Sequence, residues 1–83
     1  MKEFLGVHKI PVGEMTEDEI QSGFKDYQNA ASKMGLKAKH VHISMEKGFA
    51  HCVTEAETAD QVRQAHEGIA PLEDVVEVIT VGD

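Results

Sequence analysis

The sequence predicts an α+β sandwich of the ferredoxin-like type, one layer of two helices on a four-stranded antiparallel sheet of order 4-1-3-2. Three observations predict it. Strand-forming and helix-forming runs follow one another in the order β-α-β-β-α-β, the split β-α-β pattern, and right-handed crossovers then fix the strand order. The two middle strands are joined by a turn too short for anything but antiparallel neighbours. The chain has 83 residues, 41% apolar and 28% charged, which leaves room for one hydrophobic core and no second domain. Residues 1–83 are therefore read as a single domain.

Strand one is residues 3–10, Glu-Phe-Leu-Gly-Val-His-Lys-Ile, stopped by Pro11 and Gly13. Proline removes a ladder donor and glycine loosens the backbone. Thr16-Glu17-Asp18-Glu19 then reads as a capping box: the Thr16 hydroxyl accepts from a helix amide while Glu19 reaches back. The helix it opens carries Ile20, Phe24, Tyr27, Ala31 and Met34 at spacings of three and four, one apolar stripe for the sheet, and Gly35 supplies its left-handed stop. Residues 38–45 alternate, with Val41, Ile43 and Met45 on one face and His40, His42 and Ser44 on the other. After the polar turn at Glu46-Lys47-Gly48, strand three returns from Phe49 to Thr54. Thr58 caps a second helix to about residue 68, with Ala59, Val62, Ala65, His66 and Ile69 inward and Gly68 and Pro71 ending it. The β-branched tail from Val75 to Val81 is strand four.

Fifteen acidic against eight basic side chains give a net charge of −7. That charge repels phosphate backbones and anionic membrane surfaces and attracts cations, so no nucleic-acid partner is expected. Cys52 is the one cysteine, which rules out an intramolecular disulfide and leaves a buried filler, a metal ligand or a reactive thiol, suited to a reducing cytoplasm. The apolar run Phe4-Leu5-Gly6-Val7 is too short for a signal core and no run approaches the ~20 residues of a membrane span. With helices on one sheet face alone, a homodimer that covers the other is expected.

The chemistry rests on five histidines, His8, His40, His42, His51 and His66, and on Cys52. Imidazole with thiolate suits late first-row divalent ions, and on ligand type nickel, copper and zinc all qualify. No Cys-x-x-Cys, His-Glu-x-x-His or calcium loop is present. His8 and Cys52 belong to neighbouring central strands, and His40 and His42 to the strand beside Cys52. Which of them share a face depends on register. A three-residue turn pairs Met45 with Phe49 and sets His42 opposite Cys52, whereas a four-residue turn sets Ile43 there. Each residue also has an ordinary structural reading: Cys52 as a small core residue, His66 as a hydrogen-bonded core histidine, His40 as a solvated strand end, and Glu14, Glu17, Asp18 and Glu19 as capping and solvated face. A thiol nucleophile with a histidine base needs an orienting third group and an oxyanion site, and no phosphate loop or nucleophile elbow is visible.

Phe4-Leu-Gly-Val-His8, Cys52-Val-Thr-Glu-Ala56, His66-Glu67 and the closing Glu73-Asp-Val-Val-Glu-Val78 together resemble a family of small bacterial nickel-binding, ferredoxin-like proteins, long classed as a domain of unknown function. The resemblance runs essentially end to end and is most specific from His51 to His66. It implies a dimer that holds nickel near the subunit interface, with His8, Cys52 and His66 at the family's recurrent His, Cys and His positions; His42 and His51 stand in reserve as ligands. The chain departs from the family pattern in having Gly6 where an acidic residue is frequent, and apolar residues near Phe24 where a histidine is frequent. The expected function is nickel sequestration or buffering without turnover. Two other classes remain open: a small dimeric enzyme of oxygenase or isomerase type, marked by a pocket lined by histidine and Tyr27, and a protein-interaction module, marked by tight dimerisation with neither metal nor pocket.

Overall fold

Apolar residues at every second position of two strands set one sheet face against the helices. A computed structural model describes residues 1–82. Its elements are β1 (Lys2–Lys9), α1 (Glu17–Lys33), β2 (Lys37–Ser44), β3 (Phe49–Ala56), α2 (Ala59–His66) and β4 (Asp74–Val78). The strands bond in the order β2-β3-β1-β4, the expected 4-1-3-2 counted from the other edge, and every pairing is antiparallel. Phe4 from β1, Cys52 and Ala56 from β3 and Val75 from β4 form one core with Tyr27 and Ala31 of α1 and Val62 and Ala65 of α2. An α+β sheet with two helices on a shared core matches a ferredoxin-like fold.

Both helices open with complete capping boxes, Thr16 with Glu19 and Thr58 with Gln61, so each start is fixed by two reciprocal hydrogen bonds. Strand β3 runs on to Ala56, two residues past the expected Thr54, and three other ends differ from expectation for a local cause. Met34 is the C-cap of α1 and lies exposed instead of extending the inner stripe, because the last turn tightens and its amide bonds to the Ala31 carbonyl. The second helix stops at His66, two residues early: the Ile69 and Ala70 amides both turn back to the His66 carbonyl, and Gly68 takes φ 76°. Strand four ends at Val78, leaving Ile79 and Val81 88% exposed. Val78 already pairs with Glu3, one residue from the start of β1, so a longer strand has almost no partner left.

The hairpin register is also corrected. Ser44 pairs with Phe49, giving a four-residue turn from Met45 to Gly48, and Val41 faces Cys52. Neither His42 nor Ile43 stands there, since in an antiparallel pair each step along one strand is a step back along the other. A bulge at Lys39, between Ala38 and His40, breaks the strict alternation of β2 and lets Ala38 and Val41 both join the core side.

Candidate metal centre

The site grows from the parity of β1 and β3. Gly6 pairs with Cys52 and His8 with Ala50, so Gly6, His8 and Cys52 all face the helices. A Cβ built on Gly6 would stand 2.6 Å from the Cys52 sulfur and 3.7 Å from Cε1 of His66. The missing side chain therefore makes the room in which the sulfur sits. His66, the last residue of α2, comes down on the same spot from above.

Both imidazoles are oriented by backbone. Nδ1 of His8 lies 2.8 Å from the Pro71 carbonyl oxygen and Nδ1 of His66 lies 2.8 Å from the Val62 carbonyl oxygen. A carbonyl can only accept, so each Nδ1 carries the proton and each Nε2 presents a lone pair. Both lone pairs converge on one atom: Nε2 of His8 and Nε2 of His66 are each 3.6 Å from Sγ of Cys52. A single thiol proton can satisfy only one of them. Metal-ligand bonds of ~2.0–2.3 Å at a tetrahedral angle hold sulfur and nitrogen about 3.5 Å apart, against about 3.1 Å at a right angle. His8, Cys52 and His66 form a group able to hold a metal ion, their ligand atoms all within 4.8 Å of one another. Histidine ligands whose other nitrogen is pinned by a carbonyl are the usual supporting arrangement of such centres.

Burial sets the protonation. It pushes the Cys52 thiol up to about 11, an effect the nearby Gly6 amide opposes, so the free thiol keeps its proton at neutral pH. It depresses His66 to about 4 against the opposing Val62 hydrogen bond, with the His8 charge adding to the depression. His8 is lowered as well, again chiefly by desolvation, against its Pro71 bond and with help from His51. The histidines are thus neutral and ready to ligate. Tyr27 stacks on His66 with ring centroids 3.8 Å apart, and its hydroxyl shares a hydrogen bond with Thr54. Burial raises that phenol to about 12, so it keeps its proton near neutral pH.

Beside the centre, between α1 and the sheet, lies a cavity of about 380 Å³ on which His8, Cys52, His66 and Tyr27 open. Its walls are mostly apolar, among them Ile20 and Phe24 of α1, Val41 of β2 and Ile69 after α2.

Of the five predicted ligands, His8, Cys52 and His66 come together. His42 and His51 do not: they pair with each other across β2 and β3, and by parity with Cys52 they stand on the face away from the helices. His40 joins them there, its ring 4.9 Å from that of His42. Sequence reasoning did not find that Gly6 makes room for the sulfur, nor the Pro71 and Val62 carbonyls. A glycine inside a strand was the available signal for the first of these; the carbonyls have none.

No family model and no curated protein matches the chain. Among solved structures, SCO4226 from Streptomyces coelicolor A3(2) is similar, with a TM-score of 0.82 over 96% of this chain and 99% of that one, at 18% identity. That likeness shows the fold.

Proposed function

We propose that the protein binds a late first-row divalent ion through Nε2 of His8, Sγ of Cys52 and Nε2 of His66, and that its role is to sequester or buffer that ion. One observation carries this reading: a buried and a half-buried imidazole, each locked by a backbone carbonyl into the tautomer that ligates, aim their lone pairs at one sulfur. Nickel is the ion that the sequence resemblance implies. The 3.6 Å sulfur–nitrogen spacing is nearer the tetrahedral value that zinc prefers than the right-angle value of square-planar nickel or copper(II), so zinc is the competing ion. We place the protein in the cytoplasm, where the thiol stays reduced, as a homodimer formed through the uncovered sheet face; the centre then lies on the helix side of the sheet and not at that interface, unlike the interface site that the resemblance implies.

Calorimetry of tag-free apo-protein with nickel and with zinc at pH 7.5 tests the proposal. The expected result is one ion per chain, with binding weakened at least a hundredfold in Cys52→Ala and unchanged in His42→Ala and His51→Ala. No saturable binding of either ion, or equal affinity in Cys52→Ala, would overturn it.

The cavity favours a second reading, in which a small molecule reaches the same centre and is transformed there. Its histidine and Tyr27 lining is the feature that separates an enzyme of this fold from a plain ion store.

A further inference from the structure

We propose that the ion held by His8, Cys52 and His66 keeps one position open to the cavity and takes there a small monoanionic ligand, a carboxylate carried on an aryl or alkyl body. This rests on the metal reading above and names the ligand class of that same centre.

Donor number is the first reason. Among the described residues only three side chains gather their ligand atoms at this point, and ions of this class take four or more donors. A divalent centre with three protein ligands is the arrangement that leaves a place for an outside molecule. All three ligands line the cavity, so the open position has somewhere to face.

Charge is the second. One thiolate and two neutral imidazoles leave a divalent ion with a single positive charge in an apolar surround, where an uncompensated charge is strongly unfavourable. One monoanion neutralises it. A carboxylate is ionised at neutral pH and needs no proton removed, unlike a thiol or an alcohol. Of the charged residues beside the cavity, Lys9 follows His8 on β1 and so points to the other sheet face, and the Glu19 carboxylate accepts from the Thr16 amide.

The walls decide what the carboxylate is attached to. A volume of about 380 Å³ lies at the low end of the ~300–1,000 Å³ usual for small-molecule sites, and Ile20, Phe24, Val41 and Ile69 offer it apolar surface. Gly23 is the telling residue. It sits within α1 on the cavity wall, where glycine is the least favourable helix former after proline. Its φ is not positive, and a Cβ there would meet nothing within 4 Å. Neither backbone geometry nor packing requires glycine at this position; what a side chain would do is occupy the cavity.

Cobalt(II) loaded into the full chain, with phenylacetate and acetate as probes, tests this. Thiolate-to-cobalt charge transfer reports the centre, and the visible ligand-field bands report the open position. The expected result is a saturable change in the visible bands with phenylacetate, at least tenfold tighter than with acetate. In Gly23→Leu the charge-transfer band persists while phenylacetate binding weakens at least tenfold; Gly23→Met, similar bulk on a more flexible chain, gives the same result if the leucine variant does not fold. An intact charge-transfer band with no response to phenylacetate, or with no preference over acetate, overturns this inference and leaves the metal reading standing. So does undiminished phenylacetate binding in the folded Gly23 variants. Absence of the charge-transfer band overturns both.

Discussion

An alanine at position 6 would set its Cβ 2.6 Å from the Cys52 sulfur and 3.2 Å from Leu72 Cδ2, so strand or sulfur must shift. Gly6→Ala is expected to destabilise the apo-protein by about 1–3 kcal/mol in urea unfolding, the usual effect of overpacking a core, and to weaken metal binding at least tenfold. Titration of the same group of residues gives the second expectation at this scale. His66 is held at about 4 in the folded chain against about 6.5 when unfolded. Between those values the unfolded chain binds the extra proton, so this contribution to stability is complete above about pH 6.5 and is lost as pH falls towards 4. Cys52 has the opposite sign. Its thiol, raised to about 11, holds a proton that the unfolded chain releases near 8.5, so its contribution is complete below that pH and is lost as pH rises. Urea unfolding of the apo-protein should therefore show a plateau between about pH 6.5 and 8.5, with a slope approaching 1.4 kcal/mol per pH unit per group outside it. Relative to wild type, His66→Gln should flatten the acid limb. The chemistry of these residues was legible in the sequence: five histidines and one cysteine announce an affinity for metals. Their selection was not, since nothing local to His42 or His66 says which one reaches Cys52.

At the scale of elements, α2 is the critical piece, because eight residues must hold His66 over the sheet. A helix that short is not stable by itself and depends on its cap and on packing. Thr58→Ala removes the hydroxyl that accepts from the Gln61 amide and is expected to cost about 1 kcal/mol of apo-protein stability, read as a lower urea midpoint. Bound metal should recover part of that loss, since an ion held by His66 also holds the helix. All six elements could be read from capping boxes, alternation and the spacing of apolar residues. Their ends were harder, because each end was set by a neighbour: the start of β1 limits β4, and the backward-turning amides of Ile69 and Ala70 end α2. The turn after Ser44 decided more than an end. With four residues in it, His40 and His42 face away from Cys52, as His51, its neighbour on β3, does with any turn.

For the whole molecule, the balance is between a small core and what the centre adds. Eighty-three residues bury about two thirds of their unfolded surface, so stability is modest without a ligand. An ion free at a hundred times its Kd adds about 2.7 kcal/mol, which in a domain of this size corresponds to a rise in Tm of roughly 10–20 °C. Thermal unfolding with nickel or zinc is expected to show that rise, and a chelator to reverse it; an unmoved Tm would count against the centre. The sheet face away from the helices carries Leu5, Val53 and Val76 with His40, His42 and His51. No helix is long and apolar enough to cross a membrane among the described residues.

The sequence by itself determined the kinds of element, their order and the strand order, because hydrophobic period, capping and handed crossovers are local or topological properties of a chain. It also determined that soft metal ligands were present. Only the tertiary structure decided which of them meet, because convergence depends on three things no local pattern encodes: a turn length that sets parity, a glycine that lets a sulfur approach, and two carbonyls that each turn an imidazole. The cavity belongs to the same class of fact, since it is a space left between elements and no residue spells it out, although the unexplained glycine in α1 marks its wall.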